Sequence, residues 1–137
     1  MIVSEITDAD AAGVVDLWRR CDLTRPWNDP HADLARARRT PGSTVLVGHL
    51  AGALVASVMV GDDGHRGWVY YLAVAPDVRR GGLGRRMMAA AEDWLWARGC
   101  PKIQLMVRGA NTAAIGFYER LGLERQEVVT LGKRLDR

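Results

Sequence analysis

Leu72-Ala73-Val74-Ala75-Pro76 is followed in this 137-residue chain by Asp77-Val78-Arg79-Arg80-Gly81-Gly82-Leu83-Gly84. The first part closes an apolar run, residues 68–75, which predicts a strand covered on both faces. The second part opens an amphipathic run, residues 83–98, which predicts a helix that ends at Gly99. Glycines between a strand and a helix let successive backbone N–H groups face one anion, and the helix start adds partial positive charge. The pattern therefore predicts a diphosphate-binding loop.

The composition of this loop supports that interpretation over a simpler one. Arg79, Arg80 and Arg85 can pair with phosphates. The alternative is a Gly-rich turn with surface arginines, but three glycines within six residues are more than a turn needs. The dinucleotide-binding fingerprint is excluded because its third glycine would fall at Met87, and no Gly-x-x-x-x-Gly-Lys-Ser/Thr run occurs.

The rest of the chain predicts an α+β fold. Hydrophobic periodicity and turn residues predict strands at residues 1–6, 44–50, 53–61 and 102–107, helices at 7–21, 31–39 and 111–121, and a β-rich segment at 124–135. Ala51-Gly52 is the expected hairpin turn. Hairpins early in the chain and a β-α-β crossover later predict a central, mostly antiparallel sheet flanked by helices, with one parallel strand pair.

Composition narrows the class of protein. The chain is 48% hydrophobic and 26% charged, which predicts one domain over residues 1–137. It has neither a long apolar run nor a signal-peptide pattern, so we expect a cytoplasmic protein with no membrane partner. Two cysteines and three scattered histidines predict no metal site. A net charge of +3 favours an anionic ligand but is too weak an argument for nucleic acid.

The loop and its flanks resemble one known family. Arg79-x-x-Gly82-x-Gly84 matches the Arg/Gln-x-x-Gly-x-Gly/Ala motif of the GNAT superfamily of N-acetyltransferases, and Leu72-Ala73-Val74-x-Pro76 precedes it at the family's spacing. Asn111-x-x-Ala114-x-x-x-Tyr118-Glu119-x-Leu121-Gly122 resembles the family's second signature. Shorter segments resemble the YpeA-like acetyltransferases: Cys21-Asp22-Leu23, Arg25-Pro26-Trp27-Asn28-Asp29-Pro30, Gly64-His65-Arg66-Gly67 and Gly99-Cys100-Pro101-Lys102-Ile103.

The resemblance implies acetyl transfer from acetyl-CoA to an amine, by direct attack and without an acyl-enzyme. It also implies that the parallel strand pair splays where the thioester enters. The backbone of Leu72, Ala73 and Val74 would hold the pantetheine arm and polarise the thioester carbonyl. The pyrophosphate would lie on Arg80, Gly81, Gly82, Leu83, Gly84 and Arg85.

Two residues of the second signature each have a functional and a structural interpretation. Asn111 would hydrogen-bond the pantetheine by resemblance, and it is also a preferred helix N-cap; the two roles are compatible. Tyr118 would be the general acid that protonates the leaving thiolate, whereas its position alone is typical of a packed tyrosine beside Phe117.

The acceptor side is less defined in the sequence. The predicted strand at 68–75 has no carboxylate to act as a general base, and Asp62, Asp63 and His65 lie in the turn before it. Arg25, Trp27 and Asp29 are the acceptor-site candidates, because a guanidinium, an indole and a carboxylate between prolines suit a polar ligand. Trp27 also fits a hydrophobic lid or a homodimer contact.

The missing carboxylate keeps a second interpretation open, a non-catalytic domain that senses acyl-CoA. A basic nucleic-acid-binding domain is a further alternative, which salt-dependent affinity for DNA would reveal. The predicted acceptor is an amine of a small molecule, an amino acid or a peptide.

Overall fold

The computed structural model describes residues 1–136 of the chain. Contacts divide the chain into two compact units, the first Met1–Leu105 and the second beginning at Met106. The first unit contains five strands, β1 (Ile2–Glu5), β2 (Ser43–Leu50), β3 (Ala53–Asp62), β4 (Gly67–Val74) and β5 (Ile103–Gln104). Its helices are α1 (Ala11–Arg20), α2 (Pro30–Arg39) and α3 (Leu83–Ala97), and the second unit contains α4 (Thr112–Arg120).

The five strands form one sheet in chain order, which confirms the predicted α+β fold. The first three pairings are antiparallel, and Ala51 and Gly52 form the hairpin turn between β2 and β3 with positive φ angles of 49° and 83°. The crossover through α3 makes β4 and β5 the one parallel pair, joined at Gly67–Ile103 and Trp68–Gln104. The predicted strand at 102–107 is therefore much shorter than expected.

The core of the first unit lies between the sheet and its helices. Helix α1 contributes Val14, Val15, Leu17 and Trp18, all at most 1% exposed, and α3 contributes Met87, Met88 and Ala91. Helix α1 packs on β3 and β4, α2 on β2, and α3 on β2, β3 and β4. These buried faces follow the helical spacing of apolar residues in the sequence.

Two strand predictions were wrong. Strand β4 is buried on one face only, because Tyr70 is 45% exposed and Trp68, Tyr71 and Leu72 are half-buried. Within the described part of the chain, no strand follows β5, so the predicted β-rich segment at 124–135 is not a strand. Its apolar residues are exposed, as at Val129 and Leu131, and β-propensity produces a strand only where a pleated surface can pack against neighbours.

Gly42 tests how tightly the start of β2 packs against the end of β3. A Cβ at Gly42 would lie 2.6 Å from the Asp62 carbonyl oxygen, whereas a Cβ at Gly13, inside α1, would meet no atom within 4 Å. We expect Gly42→Ala to lower the free energy of unfolding by roughly 1–3 kcal/mol through this clash. Gly13→Ala, the matched control, should raise it by roughly 0.5–1 kcal/mol, because alanine has the higher helix propensity. Urea unfolding measures both, and a Gly42→Ala protein as stable as wild type would contradict the packing.

Candidate functional site

The Gly-Arg loop between β4 and α3 has an unusual backbone. Arg80 and Gly82 both have left-handed φ angles, 73° and 77°. A non-glycine residue rarely adopts this conformation, whereas glycine adopts it freely. A Cβ at Gly82 would meet no atom within 4 Å, so its surroundings are open. The conformation thus turns the chain sharply into α3 and leaves space beside Gly82.

The start of α3 presents unpaired backbone donors next to that space. Gly82 is the N-cap, and the Arg86 amide donates to its carbonyl at 3.1 Å. The Arg86 amide is thus the first N–H group that donates within the helix, and the N–H groups of Leu83, Gly84 and Arg85, which precede it, have no intrahelical partner. Side chains at Arg80 and Arg85 are exposed. Oriented N–H groups, a helix dipole and arginines are what a diphosphate requires, so the residues present fit one.

The Arg79 side chain connects the Gly-Arg loop to the end of β4. Its Nε donates to the Val74 carbonyl oxygen at 3.2 Å, and the Cys21 thiol donates to the same oxygen at 3.3 Å. Arg79 is thus fixed to the end of β4, and it is exposed. The Val74 carbonyl is already engaged twice, whereas Ala73 is buried and Leu72 and Val74 are half-buried.

Strand β4 carries a bulge at Tyr71 and Leu72. Ser57 of β3 pairs with Ala73 and Met59 pairs with Tyr70, so one β3 residue faces two residues of β4. Tyr71 has a φ of 53°, which is a strained conformation for a residue with a Cβ. Successive side chains normally point to opposite faces of a strand, and the bulge interrupts that alternation.

A cleft of about 590 Å³ lies beside this bulge. Aromatic side chains line it from β4, namely Trp68, Tyr70 and Tyr71. Its charged lining residues are Asp33 and Arg36 of α2 with Asp62 and Asp63 at the end of β3, three carboxylates against one guanidinium. The cleft is therefore aromatic and acidic, which suits a cationic ligand.

The turn before β4 holds Asp62 and Asp63 in place. The Asp63 carboxylate accepts from the backbone N–H groups of Arg66 and His65, at 2.7 and 2.8 Å, and from the Trp68 indole at 3.1 Å. These bonds, the one from Arg66 first, lower the pKa of Asp63 below its ordinary value. Asp62 accepts from the Gly64 amide at 2.8 Å. Asp63 is a fixed anion at neutral pH, and a carboxylate this acidic is a weak general base.

The predicted acceptor residues Arg25, Trp27 and Asp29 do not line the cleft. Asp29 caps α2, because its carboxylate accepts from the His31 and Ala32 amides at 2.9 and 3.3 Å. The Arg25 guanidinium donates to the carbonyls of Asp22 and Thr24 at 2.8 and 2.7 Å. Trp27 is 56% exposed. Two of the three side chains thus have local structural roles.

The second unit contains the other two predicted site residues. Asn111 is the N-cap of α4 and its side-chain oxygen accepts from the Ala114 amide at 3.2 Å, so the structural interpretation of Asn111 is correct. Tyr118 packs edge-on against Phe117, with ring centroids 5.0 Å apart. Burial raises the pKa of the Tyr118 hydroxyl, which keeps it protonated through neutral pH.

Several cleft residues carry no motif in the sequence. Asp33 lies inside a helix, and Tyr70 and Tyr71 read as ordinary strand residues. The adjacent tyrosines were the available signal, because two successive aromatics on one half-exposed strand suggest interrupted alternation. Among residues 1–136, no group of three or more potential metal ligands is present, and no helix is long and apolar enough to cross a membrane.

Known proteins resemble this chain along nearly its whole length. The model of the acetyltransferase (GNAT) family matches residues 12–123. An acetyltransferase of Pectobacterium atrosepticum is 51% identical over 126 residues, which cover 92% of this chain and 89% of that protein. An acetyltransferase of Yersinia enterocolitica is 47% identical over 135 residues, 98% of this chain and 96% of that protein. The narrower resemblance to the YpeA-like group stays a prediction.

Solved structures agree on the fold. AAC(6')-Iy, bound to the bisubstrate analogue CoA-S-monomethyl-acetylneamine, superposes with a TM-score of 0.84 at 16% identity, over 97% of each chain. The ribosomal-protein-S18-alanine N-acetyltransferase of Escherichia coli superposes with a TM-score of 0.77 at 26% identity, over 88% of this chain and 76% of that one. The extent of the family match and the identity to named acetyltransferases together show that this chain belongs to the GNAT family and is an acetyltransferase that transfers an acetyl group from acetyl-CoA to an amine.

Proposed function

We propose that the Gly-Arg loop binds the diphosphate of acetyl-CoA within a single acetyltransferase domain spanning residues 1–137 of a cytoplasmic protein. The observation that carries this proposal is the left-handed Gly82 N-cap, which leaves the N–H groups of Leu83, Gly84 and Arg85 available at the positive end of α3. Arg80, Gly81 and Arg85 complete the diphosphate contacts. Arg79 holds the loop to Val74, so its contribution is chiefly to loop geometry.

The backbone of Leu72, Ala73 and Val74 is proposed to carry the pantetheine arm. One N–H of this strand segment polarises the thioester carbonyl. A donor aimed at the oxygen where negative charge develops is worth roughly 2.7–4 kcal/mol of transition-state stabilisation in enzymes of known mechanism. This chemistry requires no metal.

The acceptor amine is proposed to bind in the cleft beside β4. Its three carboxylates attract a protonated amine, and the faces of Trp68, Tyr70 and Tyr71 favour a cation. Because the pKa of Asp63 is lowered, this residue serves to position the amine by charge rather than to remove its proton. Arg25, Trp27 and Asp29 remain a second, more peripheral proposal for acceptor contacts, with Trp27 also suited to a homodimer.

A screen for CoA release tests this function. The enzyme is supplied with acetyl-CoA and a panel of amines that differ in charge, namely diamines, amino acids, aminoglycosides and peptides with free N-termini. We expect turnover to be highest with amines that carry a second positive charge. Acetyl-CoA binding without CoA release across the panel would favour a sensor, and preference for anionic amines would remove the cleft from the proposal.

Gly82→Glu tests the diphosphate contacts. A carboxylate beside the open N–H groups would repel the phosphates, so we expect acetyl-CoA binding to be lost in isothermal titration. Gly99→Glu is the matched control, because Gly99 also has a left-handed φ, 75°, also has no atom within 4 Å of a Cβ, and lies past the opposite end of α3. The control should share the backbone strain and keep its affinity. If Gly82→Glu binds acetyl-CoA as tightly as Gly99→Glu and wild type do, the loop is not the diphosphate site.

Tyr118→Phe tests the proposed general acid. The variant should lower kcat by roughly 10²–10⁴-fold, the usual worth of proton transfer, with little change in acetyl-CoA affinity. The raised pKa of Tyr118 gives a further expectation: loss of its proton should cause kcat to fall only at a pH above 10, the ordinary tyrosine value, and this fall should disappear in the variant. An unchanged kcat would leave Tyr118 a packing residue.

A further inference from the structure

Four side chains from four elements form a continuous chain of contacts around the β4 bulge. Trp18 of α1 stacks on Tyr71 of β4, with ring centroids 3.8 Å apart and planes inclined by 11°. The Trp18 indole N–H donates to the Ser57 hydroxyl of β3 at 3.0 Å, and that hydroxyl donates to the Tyr71 carbonyl at 3.1 Å. The Tyr71 hydroxyl in turn donates to Asp33 of α2 at 2.6 Å.

These contacts stabilise the backbone of Tyr71, which the bulge leaves without regular strand pairing. Tyr71 and Leu72 have no paired residue on β3, so the Tyr71 carbonyl lacks a regular ladder position and the Ser57 hydroxyl supplies its donor. Ser57 is the one buried polar residue of the described core, fully inaccessible to solvent, and a buried hydroxyl needs such partners. Strained backbone persists only where surrounding contacts determine it.

The tyrosine side chain is fixed at both ends. Its ring is held by the stack on Trp18, and its hydroxyl is held by Asp33. Burial, followed by the bond to Asp33, raises the pKa of Tyr71 well above the ordinary tyrosine value, so the hydroxyl remains a donor at neutral pH. Contacts from α1, β3 and α2 therefore all stabilise the φ of 53° at Tyr71.

We infer that Trp18, Ser57, Tyr71 and Asp33 form a clamp of positioning residues that sets the orientation of the backbone N–H groups of the segment directly after Tyr71, Leu72 to Val74. The inference rests on the proposed role of that segment in polarising the thioester carbonyl. None of the four side chains needs to touch acetyl-CoA. The clamp acts on the thioester carbonyl indirectly, through the backbone of β4. If Tyr71 were released into an ordinary strand conformation, the N–H groups that follow it would rotate away from the carbonyl oxygen.

Infrared spectroscopy of bound acetyl-CoA labelled with ¹³C at the thioester carbonyl tests this clamp without requiring a known acceptor. A hydrogen bond to the carbonyl oxygen lowers its stretching frequency, so wild-type protein should shift the band downward on binding. Ser57→Ala removes the donor to the Tyr71 carbonyl, and Ser57 does not line the cleft. We expect this variant to bind acetyl-CoA by titration and to lose most of the frequency shift.

Three further variants separate positioning from stability. Tyr71→Phe keeps the stack but loses the bond to Asp33, so it should lose part of the shift. Asp33→Asn keeps an acceptor oxygen and should retain the shift. Val15→Ala, a core truncation in α1 where Val15 is 1% exposed, should lower the unfolding free energy and leave the shift intact.

The outcomes distinguish this inference from the function on which it rests. If wild-type protein binds no acetyl-CoA, or binds it without a frequency shift, the proposed role of Leu72 to Val74 in polarising the thioester carbonyl is refuted. If wild type shows the shift and both Ser57→Ala and Tyr71→Phe reproduce it in full, the clamp is overturned, while the proposed polarising role of Leu72 to Val74 is kept. Loss of the shift in Val15→Ala as well would also overturn the clamp, because general destabilisation would explain the effect.

Discussion

The stack of Trp18 on Tyr71 is the contact on which the organisation of the first unit depends. Its ring centroids are 3.8 Å apart, and it joins the buried face of α1 to the middle of β4. Through hydrogen bonds of these two residues, β3 and α2 are attached to the same point. A tyrosine with a left-handed φ is costly by itself, of order 1–3 kcal/mol, so the surrounding packing must offset that strain. The bulge is therefore a property of four elements together.

Strand β4 connects the two proposed binding regions. Trp68, Tyr70 and Tyr71 line the acidic cleft, and the strand then ends at Val74, whose carbonyl receives Arg79 from the Gly-Arg loop. The segment between them, Leu72 to Val74, is where the acetyl group is proposed to meet its acceptor. The arrangement lets one strand present the proposed amine-binding face early in its course and lead into the proposed diphosphate-binding loop at its end.

The sequence predicts local features and the fold class well, but not the side-chain contacts between residues that are distant in sequence. The hairpin at Ala51-Gly52, the Gly82 helix start and the Asn111 cap depend on a few neighbouring residues, and all were predictable. The bulge at Tyr71 was not, because it depends on Trp18 and Asp33, which are distant in sequence. The tail around Val129 and Leu131 has strand-like residues, yet propensity without a packing surface does not make a strand.

The central claim is that the backbone at the start of α3 binds the diphosphate of acetyl-CoA. Two-dimensional ¹⁵N–¹H spectra recorded during titration with acetyl-CoA, and separately with pantetheine, which lacks the diphosphate, test it most directly. The account predicts that the amide signals of Gly82, Leu83, Gly84 and Arg85 move strongly and saturably with acetyl-CoA and little with pantetheine. Saturable binding of acetyl-CoA that leaves these amides unmoved would contradict it.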